Sequence, residues 1–258
     1  MSNRVVLQPA YVLHLKPYRD TSALVELITP EHGRMGLVAR GIKGPTSKLR
    51  SVVQPFSPIL VSWSGRGELP SLTGAEPQGR ALLLKAEALA CGLYMNELTM
   101  RLTHRAEPQI ELFSVYDVSL RQLCTPQQCE WAGLHLQQVL RQFEIKLLQC
   151  LGYGLLLGEE AGNAKGKKVR SDLSYDFQLE IGPVVLDDPH QEIFGIKVSG
   201  KTLLALANNR LHEYRTEMDI YKEAKHLLRF VLDRYLGNKP LLSRQLLRRK
   251  TALPESHE

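Results

Sequence analysis

At Pro77 the spacing of apolar residues changes from every second position to a repeat of three to four, and this change limits the folds open to the chain. Upstream, from Ala10, the segments YVLHLKPY, ALVELIT, RMGLVARG, SPILVSWS and ELPSLTGAE alternate apolar and polar residues and are rich in β-branched side chains. Gly, Pro and polar turn residues separate them at intervals of about 8–12 residues, the signature of a small all-β unit. Five or so strands of this length remove their exposed edges by closing into a barrel of the OB or SH3-like type. In that arrangement ALVELIT-PEHG-RMGLVARG is a hairpin and GIKGPTSKLRSVVQP a long loop after it.

Downstream of Pro77 the pattern is helical. LLLKAEALACGLYMNELTMRLTHR places Leu82, Ala86, Leu89, Leu93 and Met100 on one face, and Pro108 interrupts before ELFSVYDVSLRQLC resumes the repeat. Thr125-Pro126-Gln127-Gln128 has the form of a helix start, with a capping Thr, Pro in the first turn and Gln at the third position. That helix runs to Leu151 and stops at Gly152. GEEAGNAKGKKVRSD is a polar loop, DFQLEIGPVV and EIFGIKVSG read as short strands, and helices return at KTLLALANN, TEMDIYKEAKHLLRFVLDRYLG and SRQLLRRK. The expected fold class is therefore α+β multidomain: an OB-fold β-barrel over residues 1–79, then an all-α domain over 80–250 with a small β-containing insert at about 158–197, and a flexible tail at 251–258.

A length of 258 residues with 43% hydrophobic content is enough to fill such cores. No window approaches a membrane span, and the N-terminal segment lacks the apolar core of a signal peptide, so a cytoplasmic location is expected.

Charge is distributed unevenly. Residues 33–67 carry six Lys or Arg and no acid, and residues 222–250 carry nine against Glu223 and Asp233, within a formal net charge of +6. Two basic blocks on an otherwise acidic body form an electrostatic footprint for a polyanion. The stretch GRMGLVARGIKGPTSKLRSVVQ, with four glycines and a proline, is too broken for a helix, and its Arg34, Arg40, Lys43, Lys48 and Arg50 suit phosphate contacts. Arg66, in the turn SGRG, can add to them. Tyr18, Phe56 and Trp63 are the nearby rings, with Phe56 and Trp63 read as core, so little base-specific chemistry is expected. In the second block Lys239, Arg244, Arg248 and Arg249 are either a solvated basic terminus or a helix docked through Leu241, Leu242, Leu246 and Leu247. The helix before it presents Ala224, Leu227, Leu228, Val231, Leu232 and Tyr235 as a core face.

No catalytic motif is present, and no catalytic residues, cofactor or metal are expected. The chain has no P-loop, no H-E-x-x-H and no nucleophile elbow, and its acidic doublets Glu159-Glu160 and Asp187-Asp188 lie in turn-like contexts that suit solvated acids better than Mg²⁺ ligands. Cys91, Cys124, Cys129 and Cys150 form no paired spacing for zinc and read as small apolar residues of helices. A generic nucleic-acid-binding adaptor and, less favoured, a small nuclease remain open on these residues. In HLQQVLRQFEIKLLQCLGYG, Arg141, Phe143, Lys146 and Leu151 are either helix core with a solvated flank or a pocket for an acidic partner peptide with an aromatic anchor.

Taken together, YVLHLKPYRDTSALVELITPEHGRMGLVARGIKG, VVQPFSPILVSWSGRGELPSLTGAE, GLYMNELTMRL, ELFSVYD, LRQFEIKLLQCLGYG and YLGNKPLLSR resemble the bacterial recombination mediator family RecO, in order along nearly the whole chain. The resemblance implies a non-enzymatic protein that binds single- and double-stranded DNA and anneals complementary strands. It further implies that the protein acts with RecR to help RecA load onto DNA coated by single-strand DNA-binding protein, in RecF-pathway repair. It also implies binding of that coating protein's acidic, Phe-terminated tail, with Arg141, Phe143 and Leu151 as the corresponding pocket. Many relatives carry two C-x-x-C pairs after the LGY motif, whereas residues 152–199 here contain no cysteine, so the chain resembles a zinc-free branch.

Overall fold

The computed structural model describes residues 4–124, 132–157, 168–188, 190–237 and 239–248. They form two compact units, one of residues 1–125 with 241–258 and the other of 126–240. The change from strands to helices falls near residue 80, as the change of period requires. The first two long helices nevertheless belong to the same compact unit as the strands.

In the first unit, β1 (Arg4–Tyr18), β2 (Ser22–Thr29), β3 (Gly33–Ala39), β4 (Ile59–Ser64) and β5 (Ser71–Pro77) make an OB-like barrel in the order β1-β2-β3-β5-β4. The hairpin expected from alternation is present, with Thr29 paired to Gly33 and Ala23 to Ala39. The 15-residue β1 serves both sides of the ring: its C-terminal part pairs with β2 and its N-terminal part with β4. Irregularities between Val5 and Gln8 and between Val12 and His14 let one strand bend far enough to do so. Val12, Val25, Leu27, Leu37, Ile59, Val61 and Trp63 fill the interior.

The β3–β5 seam is short, a single pair between Val38 and Ser71. The connection after the first long helix covers the other end of β3: the Ala106 N–H donates to the Arg34 carbonyl at 2.9 Å. Gly33 (φ +59°) is required there, because a Cβ would lie 1.6 Å from the Glu107 carbonyl oxygen. A strand edge that would otherwise present free amides is thereby protected.

The loop after β3 differs from expectation in one respect. Leu49–Val52 forms a single helical turn, α1, in the segment read as too broken for a helix, because Gly41, Gly44 and Pro45 all precede it. Then α2 (Ala86–Leu102) and α3 (Ile110–Cys124) pack on the barrel. Leu82 precedes α2 and Leu89 is exposed, so the apolar face expected there is replaced by Cys91, Tyr94, Met95 and Leu98. Phe56, read as core, is buried, and Gly92 makes room for its ring against α2. Tyr116 of α3 donates to the Asn96 side-chain oxygen, and Asn96 Nδ2 donates to the Leu13 carbonyl at 2.9 Å, tying both helices to β1. The short terminal helix α7 (Ser243–Arg248) rests on α2.

In the second unit, α4 (Ala132–Cys150), α5 (Gly200–Ala207) and α6 (Met218–Leu236) surround a core of Phe143, Leu147, Leu148, Leu203, Leu228 and Val231. The helix start at Thr125-Pro126 and Cys129 lie outside the described residues; Gly152 (φ +82°) follows the end of α4 as expected. Tyr235 departs from the expected core face of α6: it is exposed and stacks on Tyr153 at 4.1 Å between ring centres. The insert forms a three-stranded sheet, β7 (Gly182–Val185), β6 (Ser174–Gln178) and β8 (Ile196–Ser199), in the order β7-β6-β8. The buried Asp176 carboxylate holds it together, accepting from Phe194 N at 3.0 Å, Gly195 N at 2.9 Å and Gln178 Nε2 at 2.8 Å.

Candidate nucleic-acid interface

Of the basic residues in the first block, Arg34 stands apart. It lies in β3, its Nη1 pairs with Glu26 Oε2 at 3.2 Å, and its Nη2 donates to the Thr103 carbonyl at 3.0 Å. Arg105 meets the same carboxylate from the other side. Arg34, expected as a phosphate contact, has its charge engaged within the fold by the nearly buried Glu26.

The other cations of this block are exposed. Arg40 follows β3, Lys43 lies in the next turn, Lys48 precedes α1 and Arg50 is on it. The Lys43 main-chain N–H donates to the Thr21 carbonyl at 3.0 Å, and its Nζ donates to the Arg19 carbonyl at 3.1 Å, so the loop is pinned to the β1–β2 turn. Beside it lies a groove of about 460 Å³ lined by Leu15, Lys16, Pro17, Ala23, Ile42, Lys43, Arg50, Val53 and Gln54. Lys16 belongs to this site and was missed by reading charge runs, although alternation along YVLHLKPY places it on an exposed position. Arg66 sits in the exposed β4–β5 turn, made by Gly65 (φ +139°) and Gly67 (φ +85°). Trp63 is buried with its edge against His32, as a core residue would be, while Tyr18 is partly exposed with the Arg19 guanidinium 5.2 Å from its ring centre.

The second basic block is divided between the units. Lys239 is an exposed residue of the second unit, whereas Arg244 and Arg248 lie on α7 in the first; Arg249 lies outside the described residues. Docking of α7 uses a smaller apolar contact than expected: Leu241 is buried, but Leu242 and Leu246 are exposed. Polar contacts supply the rest. Glu97 of α2 accepts from Leu242 N at 2.9 Å, Ser243 N at 2.8 Å and Ser243 Oγ at 2.5 Å. Burial works to raise the Glu97 carboxyl, but these hydrogen bonds and Arg101 hold it below the ordinary carboxylate range.

The partner-peptide residues are not an open pocket. Phe143 is fully buried in the core of the second unit, so its proposed role as a surface contact is corrected: it falls on the same helical face as Leu140, Leu147 and Leu148. Arg141 is 8% exposed and paired with the buried Glu144, Nε to Oε2 at 2.8 Å and Nη2 to Oε1 at 2.9 Å. Leu151 is partly exposed after the end of α4.

Among the described residues, no three His, Cys, Asp or Glu side chains converge as a metal site, and no helix is long and apolar enough to cross a membrane. Asp188 accepts from His190 N at 2.8 Å, an acid engaged in its own turn; Glu159 and Glu160 lie outside the described residues.

The sequence matches family models in the same order as these elements. The model described as Recombination protein O N terminal covers residues 1–79, and that described as Recombination protein O C terminal covers residues 84–245. A DNA repair protein RecO of Nitrosococcus oceani is 50% identical over 244 residues, 95% of this chain and 93% of its own length. Its counterpart in Methylococcus capsulatus is 41% identical over 246 residues, 95% of this chain and 94% of its own. That of Coxiella burnetii is 38% identical over 247 residues, 96% of this chain and all of its own. With both family regions matched in order and relatives this similar along almost their whole length, the chain belongs to the RecO family of DNA repair and recombination proteins.

Proposed function

We propose that the protein is a non-enzymatic recombination mediator that binds single- and double-stranded DNA, anneals complementary strands and helps RecA load onto strands coated by single-strand DNA-binding protein. Residues 1–79 act as the DNA-binding domain and 80–250 as the helical domain. The observation that carries this reading is the exposed, acid-free set Arg40, Lys43, Lys48 and Arg50 on a loop pinned to the barrel. A fixed row of cations neutralises phosphates and releases their counterions without reading bases. Two backbones brought to such a surface repel each other less, which favours pairing without nucleotide hydrolysis. Arg66, Arg244 and Arg248 in the first unit, and separately Lys239 in the second, are proposed as further DNA contacts. RecR and the acidic tail of the coating protein are the proposed partners, the tail engaging the second unit near Arg141 and Leu151.

The test is annealing of complementary oligonucleotides coated either with intact single-strand DNA-binding protein or with a form lacking its acidic tail. Faster annealing only with the intact form supports the mediator reading. No acceleration of bare or coated strands contradicts it and leaves a generic DNA-binding adaptor. Cleavage of the strands in Mg²⁺ would point instead to a nuclease.

A further inference from the structure

The groove beside the basic loop has a composition that a row of phosphate contacts does not need. Its floor is aliphatic, from Ala23, Ile42 and Val53, all nearly inaccessible, with Leu15 half-buried above them. Its rim carries three exposed cations, Lys16, Lys43 and Arg50, and no acid lines it. An apolar slot edged by positive charge fits a flat, weakly polar group attached to an anion. We infer that the groove receives one unstacked base of single-stranded DNA, with the adjoining phosphates on Lys16, Lys43 and Arg50; this rests on the DNA-binding reading above.

Three observations favour this occupant. The volume of about 460 Å³ falls in the range of about 300–1,000 Å³ typical of small-molecule sites and accommodates a base with its sugar. The walls are preformed: Lys43 N is bonded to the Thr21 carbonyl, Val53 N to the Leu49 carbonyl at 2.8 Å, and Gln54 Nε2 to the Arg50 carbonyl at 2.6 Å. Little ordering is therefore left for the ligand to impose. Exposed Arg40 and Lys48 lie on the same acid-free segment outside the groove. A ligand with a phosphate at every residue uses these flanking charges, whereas a peptide with one anionic end does not.

The lining contains no aromatic ring, so the base is held by aliphatic contact without stacking on a ring. All four bases then fit, and sequence preference is weak. A paired base must first leave its stack to enter, so the groove favours single strands over duplex.

The experiment compares binding of the full chain to a 12-nucleotide single strand and to an abasic strand of equal length and charge, across salt concentrations. The normal strand is expected to bind about tenfold more tightly (about 1.4 kcal/mol). A 2-aminopurine in that strand should brighten on binding, as it leaves the stack for an aliphatic slot, whereas an aromatic face would quench it. Ala23→Leu, which fills the floor, should remove the brightening and bring the affinity for the normal strand down to that for the abasic one. Because the strand comparison is made on the unaltered protein, it stands even if that variant fails to fold. Equal affinity for the two strands would overturn the groove assignment and leave the DNA-binding reading intact. Failure to bind either strand at low salt would overturn both. If Ala23→Leu spared the strand but blocked an acidic, Phe-terminated peptide, the groove would be a peptide site and the assignment would fall.

Discussion

The Glu97 carboxylate of α2 accepts the main-chain N–H of Ser243 at 2.8 Å and its hydroxyl at 2.5 Å, so a single side chain fixes the start of basic α7 across 146 residues of sequence. With Leu241 as the one deeply buried apolar residue at that junction, the hydrogen bonds carry much of the docking. Glu97→Ala leaves the Leu242 and Ser243 amides without this acceptor, at about 1–3 kcal/mol. Faster hydrogen exchange at 242–248, with exchange in the barrel strands unchanged, is the expected result. Unchanged protection of those amides would show that α7 is held by other means.

The same carboxylate sets a pH dependence. Its hydrogen bonds hold the folded value below the ordinary 4.5, so its contribution is fully present above that pH and is lost as pH falls through the lowered value. Amide protection of α7 should therefore decline in acid below about pH 4.5, and Glu97→Gln should flatten the decline.

Arg34 and the loop cations should behave oppositely under mutation. If Arg40 and Lys48 each hold a phosphate as proposed, replacing both by Ala should make the slope of log affinity for single strands against log salt shallower by about 1.4, at about 0.7 per contact. Stability should hold within about 0.5 kcal/mol. Arg34→Ala should leave the slope in place and cost about 1–3 kcal/mol in thermal or denaturant unfolding, because Glu26 and the Thr103 carbonyl lose a charged donor. A reduced slope with Arg34→Ala would place that guanidinium on DNA after all.

For the second unit, Arg141→Ala removes the guanidinium paired with a Glu144 that is 1% exposed, at about 1–3 kcal/mol. Loss of partner binding in that variant would then report unfolding. Arg141→Met combined with Glu144→Leu removes both charges and should recover most of the stability. Binding of the acidic tail peptide to this double variant separates the two roles: weak binding by a stable protein supports Arg141 as a peptide contact, and full binding shows a structural role alone.

The sequence made the barrel and its hairpin legible because alternation constrains each strand face, and the pairing of Thr29 with Gly33 follows from a short turn between two such runs. Helix existence was legible from the three-to-four-residue repeat, and so was the phase of α6, whose Ala224, Leu227, Leu228, Val231 and Leu232 are buried, but not the phase of α2. The face of α2 was counted from Leu82, which precedes the helix; for α4 the helix-core alternative holds for Phe143, while the burial of Arg141 with Glu144 has no signal in the spacing. Charge density located the basic loop, yet it could not separate Arg34 from Arg40. The carboxylate that claims Arg34 lies across the hairpin, and the second guanidinium on it comes from Arg105, 79 residues beyond Glu26. Lys16, Ile42 and Val53 meet at one groove only once β1 and α1 are folded together, and no local spacing announces that.

The most direct measurement of the central claim is the rate of annealing of bare complementary oligonucleotides as salt is raised, for the unaltered protein and for one with Arg40, Lys43, Lys48 and Arg50 replaced by Ala. The account predicts annealing that is accelerated at low salt, falls steeply as salt rises, and is largely lost in the variant while its melting transition is retained. Acceleration that is indifferent to salt and survives the four substitutions would contradict it.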